Sequence, residues 1–373
     1  MMEKATTAEL KKINRKNVYK FIYSSGKSSK QQIATRLGLS LPTVSQILAD
    51  LEDEGLIERN GTLESSGGRK PMAIFPVKKT RVAIGVEITK HHLQLVCIDL
   101  FGCVLAEKRT RLLYWNNAKY YREMGSAVNA FADSLNLPAG CILGVGIALQ
   151  GVISSDGRYV SYGKIMGCTG TTLDDFAANI RFPCVLLHDS ESAAKAEMWV
   201  SKDITDAIYL ALSKHLGSAL IVNGAIHKGV GIGSGLMEHM IWQHGGRPCY
   251  CGKRGCLEAY CSADALLGET EAESFFERAR RDRTPEHRRW EEYLDILSSA
   301  IDNVHMLVDC DVVLGGHLGP YITEEDVLKL NHLARKKSAF PETRAYIKLG
   351  KCPAAVVAIG AGLSYVSAFL AGI

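Results

Sequence analysis

A run of three cysteines constrains this chain more than any other feature of its sequence. Cys249, Cys251 and Cys256 lie within eight positions, and His239 lies ten residues before the first of them. Three thiolates and one imidazole complete a tetrahedral ligand set for Zn²⁺ and leave no position open for water. Glycines between the second and third cysteine permit the tight turns that aim both sulfurs inward. The sequence therefore predicts one structural zinc ion per chain, held by His239, Cys249, Cys251 and Cys256.

Disulfide bonds are the alternative interpretation of these cysteines. A bridge between Cys249 and Cys251, which are separated by one residue, would be strained. The chain has 11 cysteines and a polar N-terminus without the pattern of a signal peptide. This combination predicts a cytoplasmic protein, in a reducing compartment where thiols stay free or bind metal.

The same run carries a resemblance to a known family. His239 followed by Cys249-x-Cys251-Gly-x-x-Gly-Cys256-x-Glu258 resembles the zinc signature of the ROK proteins (repressors, uncharacterised reading frames and sugar kinases). The resemblance extends over nearly the whole chain. It implies an actin-like ATPase fold of two lobes, with the zinc loop beside a sugar-binding cleft.

The N-terminal part of the chain has the pattern of a basic helix-turn-helix. Residues 1–80 carry 14 Lys and Arg against 8 Asp and Glu, a net charge of +6, whereas the remaining residues carry −2. Ser29 and Gln32 form a capping-box pattern before a second helix, and Ser40 can cap a third helix with Pro42 in its first turn. Two such helices joined by a short Gly-containing turn, in a basic segment, indicate DNA binding.

The third helix and a wing after it are the predicted DNA-contacting surfaces. Side chains at the start of a recognition helix meet base edges in the major groove, although a solvated helix start has the same polar composition. Segments 56–59 and 70–75 predict two wing strands, joined by a Gly-Gly tip that can lie along a minor groove. The residues predicted to contact duplex DNA are Ser40, Pro42, Thr43, Ser45, Gln46, Arg69 and Lys70.

A second resemblance to ROK proteins lies in this segment. The winged N-terminal domain of ROK repressors is similar to Leu39-Ser40-x-Pro42-Thr43-Val44-Ser45 combined with Gly67-Gly68-Arg69-x-Pro71. ROK sugar kinases generally lack this domain. We therefore expect an all-α helix-turn-helix with a wing over residues 1–79, and an α/β body of the actin-like ATPase (ROK) fold over residues 80–373.

Beyond residue 80 the pattern of apolar runs predicts alternating strands and helices. Short runs rich in Val, Ile and Leu predict strands at residues 82–87, 93–98, 104–111, 142–149, 184–188, 207–212, 218–222 and 312–314. Longer segments predict helices near 117–135 and 358–371. Residues 352–373 contain no charged side chain and could be interpreted as a membrane span, but their glycines, Pro353 and polar residues favour a helix packed in the body.

The two nucleotide-binding hairpins of ROK kinases are poorly matched. Such hairpins need glycine, because only glycine lets backbone N–H groups approach phosphate closely. The first hairpin of the family has an Asp-x-Gly-Gly-Thr-like run, and the matching residues 87–91 contain no glycine. The second hairpin has a Gly-Thr-Gly-x-Gly-like run, and the matching residues 213–218 contain Gly217 alone. We therefore predict that the protein is not an enzyme. The alternative is a cytoplasmic ROK sugar kinase with an added DNA-binding head.

The resemblance implies an effector site at His188, Asp189, His239 and Glu258. The family has an Asn-Asp pair whose Asp is the general base for the sugar hydroxyl, and here the pair is His188-Asp189. The family's Glu three residues before the zinc histidine is replaced by Leu236. A zinc-bound His239 can contact a ligand through its second ring nitrogen, and Asp189 can alternatively cap a helix that begins near Ser190. An ordinary hexose, a more apolar sugar derivative, a phosphorylated sugar held by His188, or no ligand all remain open.

Together these patterns predict a transcriptional regulator, most simply a repressor of carbohydrate uptake or metabolism genes. A homodimer or tetramer would place two heads in successive major grooves of a palindromic operator. A sugar or sugar-phosphate effector would shift the two lobes, and with them the spacing of the heads. A constitutive DNA-binding or scaffold protein with a vestigial cleft is a third possibility.

Overall fold

The computed structural model describes residues 6–64, 70–231, 233–352 and 355–373. Its N-terminal part is a head of three helices and a two-stranded wing. These elements are α1 (Thr7–Ser25), α2 (Lys30–Leu37), α3 (Leu41–Asp53), β1 (Ile57–Thr62) and β2 (Met72–Pro76). The strands β1 and β2 pair antiparallel, with Ile57 opposite Pro76. The predicted helix-turn-helix with a wing is therefore confirmed, and the wing tip at residues 65–69 lies outside the described residues.

Side-chain caps set the beginnings of the three head helices. The predicted caps are confirmed, because Ser29 accepts a hydrogen bond from the Gln32 amide and Ser40 accepts one from the Thr43 amide. The first helix begins at Thr7, because Thr6 forms a reciprocal capping box with Glu9. Local hydrogen bonds of this kind satisfy amides that have no partner within the helix.

The first lobe of the body is a five-stranded sheet with helices. Its strand order is β5-β4-β3-β6-β9, in which β3 pairs antiparallel with β4 and parallel with β6. The elements of this lobe are β3 (Val82–Ile88), β4 (His92–Asp99), β5 (Val104–Arg111), α4 (Ala118–Ser134), β6 (Ile142–Leu149), β7 (Val152–Ile153), β8 (Val160–Tyr162), α5 (Leu173–Ala177) and β9 (Cys184–His188).

The second lobe is another five-stranded sheet, in the order β12-β11-β10-β13-β14. Its strands are β10 (Ala207–Leu212), β11 (Leu216–Val222), β12 (Ala225–Ile226), β13 (Asp311–Gly315) and β14 (Ile347–Leu349). Its helices are α6 (Asp189–Val200), α7 (Glu258–Cys261), α8 (Ala263–Leu267), α9 (Ala272–Ala279), α10 (Pro285–Val308) and α11 (Glu324–Lys337). The last helix, α12 (Val356–Gly372), packs against α6 and against β3, β4 and β6 of the first lobe. The predicted α/β body of two lobes is therefore confirmed.

Some boundaries differ from the predicted ones. Strands β6, β9 and β10 have the predicted bounds, whereas β11 begins at Leu216 rather than at Ser218. The reason is cross-strand pairing, because Leu216 lies opposite Leu212 and the hairpin between them is short. The two-residue β7 and the three-residue β8 carry too few residues for a period-2 pattern to show them.

Helix α12 is packed inside the body, as predicted for the uncharged C-terminal stretch. A Cβ atom on Gly85 of β3 would lie 1.7 Å from the carbonyl oxygen of Ala358, and one on Gly360 would lie 1.7 Å from that of Ser192. Only glycine allows backbones to approach so closely. Among the described residues, no helix has both the length and the apolar character needed to cross a bilayer.

The far end of α12 reaches the head. Ile373 is buried in the same apolar cluster as Val18 of α1. The hydroxyl of Tyr23 donates to the carbonyl of Leu100 at 2.7 Å, and the Tyr23 ring stacks on Phe101 with 4.2 Å between centroids. The head is therefore held against the body both by the end of α12 and by the turn that follows β4.

Candidate metal centre, effector cleft and DNA-reading helix

The predicted metal ligands converge in the structure. The ligand atoms of His239, Cys249, Cys251 and Cys256 all lie within 4.8 Å of one another. The Sγ atoms of Cys251 and Cys256 are 3.7 Å apart, and His239 Nδ1 is 3.8 Å from Cys249 Sγ. Two thiolates at about 2.3 Å from a tetrahedral Zn²⁺ are about 3.8 Å apart. The donor set and its spacing therefore fit one four-coordinate metal ion, and the sulfurs are too far apart for a disulfide bond.

A turn built on two glycines carries the cluster. Gly252 and Gly255 have φ angles of 97° and 84°, in the region that favours glycine. A Cβ atom on Gly255 would also lie 1.8 Å from the carbonyl oxygen of Gln243. The backbone between Cys251 and Cys256 can therefore close around an ion only because these two residues lack side chains.

The second ring nitrogen of His239 is already engaged. His239 Nε2 lies 3.1 Å from the hydroxyl of Tyr250. Burial lowers the pKa of His239, which favours the neutral imidazole that a metal needs. With Nδ1 turned to the cluster, Nε2–H donates to Tyr250, an arrangement that fixes the ring of a metal-bound histidine. Tyr250, and not His239 alone, thus presents a polar group of the metal loop to the cleft.

The cleft contains three of the four predicted effector residues. A cavity of about 160 Å³ is lined by His188, Asp189 and His239. Asp189 is the first residue of α6, and its Oδ1 accepts from the Ser190 amide at 2.7 Å and lies 3.2 Å from His188 Nε2. Asp189 therefore stabilises the start of α6 and also faces the cavity, so both predicted roles are compatible with its position.

The fourth residue, Glu258, is placed elsewhere. It is buried, and it is not among the residues that line the cavity. Its Oε1 accepts from His215 Nδ1 at 2.8 Å and its Oε2 accepts from the Leu216 amide at 2.6 Å. Glu258 follows Cys256 by two residues, so this carboxylate links the metal loop to the hairpin between β10 and β11.

Two acids of the cleft, the half-buried Glu87 and the buried Glu238, are not found by sequence reasoning. Burial raises the pKa of Glu87 to about 7, and the Asp189 carboxylate adds to the rise while Arg109 opposes it. Burial likewise raises the pKa of Glu238 to about 8, and Ser218 donates a hydrogen bond to its carboxylate. Glu87 ends the apolar run of β3 close to where β9 ends, and this shared strand edge is the signal that could have revealed it.

In the head, the polar side chains at the start of α3 are exposed or half-buried and hydrogen-bond within their own helix. The hydroxyls of Ser40 and Thr43 lie 2.8 Å apart, Ser45 donates to the Leu41 carbonyl at 2.7 Å, and Gln46 donates to Asp50 at 2.9 Å. The opposite side of α3 is buried through Val44, Ile47, Leu48 and Leu51. Pro42 and Lys70 are also exposed, and Arg69 lies outside the described residues.

Fold and metal cluster together define a two-lobed body of ROK type that carries a winged helix-turn-helix. The sequence model of the ROK family matches residues 83–340, and a model of winged helix-turn-helix DNA-binding domains matches residues 12–58. The chain belongs to the ROK family. The resemblance inferred from the cysteine run and from the head is thus confirmed.

Relatives of established name include repressors. The chain is 26% identical over 269 residues to the xylose repressor of Bacillus subtilis, covering 71% of this chain and 70% of that protein. It is 27% identical over 260 residues to the DNA-binding transcriptional dual regulator NagC of Escherichia coli, covering 69% of this chain and 64% of that protein.

Solved structures show the same fold. A ROK family transcriptional regulator, a homologue of the E. coli MLC protein, superposes with a TM-score of 0.78 at 19% identity and covers 97% of both chains. A ROK family glucokinase from Streptomyces griseus, bound to glucose and AMPPNP, superposes with a TM-score of 0.67 at 18% identity, covering 76% of this chain and 98% of that chain. Regulators and kinases therefore share the architecture of this body.

Metal analysis tests the cysteine cluster. The purified protein should contain about one zinc ion per chain, and Cys251→Ser should remove it and lower the melting temperature by at least about 5 °C, because metal binding contributes to folding stability. Cys103→Ser, at an exposed cysteine outside the cluster, is the control and should keep both the metal and the melting temperature. A wild-type protein free of zinc, or equal melting of both variants, would contradict the assignment.

The raised pKa of Glu87 can be tested through the pH dependence of protein stability. Its pKa is about 7 in the folded protein against an ordinary value of 4.5, so the folded state holds the proton more tightly between these pH values. The wild type should lose stability relative to Glu87→Gln as pH rises from about 4.5 to 7, by about 1–3 kcal/mol in the free energy of unfolding. Below pH 4.5 the difference should not change with pH.

Denaturant unfolding of both proteins from pH 4 to 8 measures this difference. Glu107→Gln, at an exposed position on β5, controls for the loss of one negative charge and should give a difference from wild type that does not change with pH. If the free energies of unfolding of Glu87→Gln and of the wild type change with pH in the same way, the pKa of Glu87 is not raised and the prediction is wrong.

Proposed function

We propose that this protein is a DNA-binding transcriptional repressor whose operator affinity responds to a sugar or sugar derivative bound in the cleft. The regulated genes would serve carbohydrate uptake or metabolism, in keeping with the names of its relatives. Residues 1–79 would bind DNA and residues 80–373 would bind the effector. Zinc would stiffen the loop that carries His239, in a structural and not a catalytic role.

The head has what groove recognition requires. Helix α3 begins with exposed Thr43 and Gln46 on the side opposite its buried residues. Glutamine can pair with adenine through two hydrogen bonds, and threonine can contact a base or a phosphate. The bond from Gln46 to Asp50 lies at the surface, where it can be exchanged for a bond to a base. Two heads in a dimer would read the two halves of a palindromic operator.

The observation that carries the choice of a regulator over a kinase is the state of the hairpin between β10 and β11. The Leu216 amide, which a phosphate would need, donates to Glu258, and the His215 ring is fixed to the same carboxylate. A phosphate-binding loop depends on free backbone N–H groups. Here one such group is occupied and an imidazole occupies adjacent space, which supports a body without kinase activity.

A sugar kinase with an added DNA-binding head is the second candidate, because Asp189 is retained. Its carboxylate faces the cavity, where a general base for a sugar hydroxyl would be placed. The hairpin that would hold the phosphoryl donor, however, has its Leu216 amide engaged by Glu258. The retained aspartate is instead suited to accept hydrogen bonds from the hydroxyls of an effector.

Two assays on the same preparation separate the candidates. Incubation with ATP, Mg²⁺ and a panel of hexoses and pentoses should give no sugar phosphate above the rate without protein. Selection of bound fragments from a genomic DNA pool should enrich a palindromic sequence, and an active sugar should reduce its binding. Sugar-dependent turnover would overturn the assignment, as would the failure to enrich any sequence.

Variants of the head should separate sequence reading from general affinity. Gln46→Ala should relax the preference at one base position of each half-site by about fivefold to 100-fold, because it removes a base-edge contact. Arg69→Ala should weaken binding to all sequences alike. Gln94→Ala in the body, the matched control, should do neither. Binding curves on the selected operator and on its single-base variants measure these effects, and an unchanged base preference of Gln46→Ala would remove Gln46 from the reading surface.

A further inference from the structure

The effector cavity continues beyond the polar residues that would hold a sugar. Its lining includes His188, Asp189 and Tyr250, and also the group Tyr209, Ala211, Ser213, Gly316, Val356 and Val357. We call this second part the Val356 chamber. It lies beside the hairpin from Ser213 to His215, where a kinase of this fold would receive the phosphates of ATP.

The Val356 chamber is mostly apolar. Val356 and Val357 pack against a cluster of buried side chains that includes Tyr209 and Ala211. These side chains come from β10 and from the first turn of α12, so the chamber has rigid walls. Apolar walls of this kind gain free energy when they cover an apolar group of a ligand.

The hairpin beside the chamber has one of its backbone donors already engaged. The Leu216 amide donates to Glu258, and the Ser213 hydroxyl accepts from the His317 amide at 3.2 Å. The carboxyl group of Glu87 lines the same cavity, next to that of Asp189. A phosphate in the chamber would therefore lie near the Asp189 carboxylate, whose charge also acts on Tyr209 of the chamber wall, and would find the Leu216 amide already engaged.

Two lysines lie near the cleft, and neither is placed to hold a phosphate in the chamber. Among the described residues that line the cavity, Lys164 is the one lysine or arginine, and it lies beside Gly252 of the metal loop rather than at the chamber. Lys228 lines a neighbouring cavity on the other side of His188 but is paired with Glu191. A paired lysine offers little net positive charge to an incoming phosphate.

We infer that the effector is a sugar derivative with an uncharged, apolar substituent, such as an aryl or alkyl glycoside, whose substituent fills the Val356 chamber. The sugar hydroxyls meet His188 and Asp189 on the polar side. This inference rests on the proposed effector function and specifies the chemistry of the ligand. It separates glycosides from the free sugar, which would leave the chamber empty, and from the sugar phosphate, which would bring a second negative charge near Asp189.

Calorimetric titration of the full-length, zinc-containing protein tests the inference with matched ligands. The probes are glucose, xylose and N-acetylglucosamine, the α- and β-phenyl glycosides of each, and the 6-phosphates of the two hexoses. For at least one sugar, a phenyl glycoside should bind about tenfold or more tightly than its parent, since a buried ring adds a large apolar contact. The 6-phosphates should bind more weakly than the parents.

Variants of the chamber wall test where the substituent lies. Ala211→Val narrows the chamber and Val357→Thr makes its wall polar at almost constant shape, so each should reduce the ratio of glycoside to parent affinity by at least about threefold. Val200→Ala, at an exposed position of α6, should leave the ratio unchanged. Melting curves show whether each variant is folded, and Val357→Thr serves where Ala211→Val does not fold.

The outcomes distinguish this inference from the proposed function. Parent sugars that bind as tightly as their glycosides, or phosphates that bind most tightly, would overturn the inference and leave a sugar-responsive repressor intact. A glycoside preference that survives in both wall variants would place the substituent elsewhere and also overturn it. If no sugar derivative binds while the operator is still bound, the effector function fails and the inference fails with it.

Discussion

The close packing of α12 is the constraint on which the rest of this structure depends. The helix can lie against β3 and α6 only because Gly85 and Gly360 have no side chains at the points of contact. Its first residues, Val356 and Val357, line the cleft, and beyond its last turn Ile373 is buried in the head. One helix therefore touches both functional regions, and the position of the head depends on how this helix is seated in the body.

A second interaction explains how a kinase-like body can serve another purpose. Glu258 is held at a fixed distance from the metal ligands because it follows Cys256 by two residues, and it bonds to His215 and to the Leu216 amide. The carboxylate is thereby removed from the cavity, and the hairpin loses a donor that phosphate would need. The metal loop and the altered hairpin stabilise each other, so the loss of glycine in the hairpin is compensated by new contacts.

The parts of the fold that were predicted well are those with local causes. Ser29 and Ser40 cap their helices through bonds to residues three positions away, and the buried strands β6, β9 and β10 are continuous apolar runs. The convergence of His239, Cys249, Cys251 and Cys256 was also predictable, because four donors at this spacing have few other uses. Glu87 and Glu238 were missed, since an acid at a strand end or before a histidine has no local pattern that marks it as buried.

The amino-acid sequence by itself determined the ROK family, the winged head, the α/β body and the four members of the candidate metal cluster, because each of these follows from local patterns in the chain. Only the tertiary structure decided that Glu258 faces His215, 43 residues away, and that His239 is bonded to Tyr250. It also decided that Val356 and Val357 form an apolar part of the cleft wall. These features depend on long-range contacts between side chains of β10, β11, α12 and the metal loop. The spacing of residues along the chain does not specify such contacts.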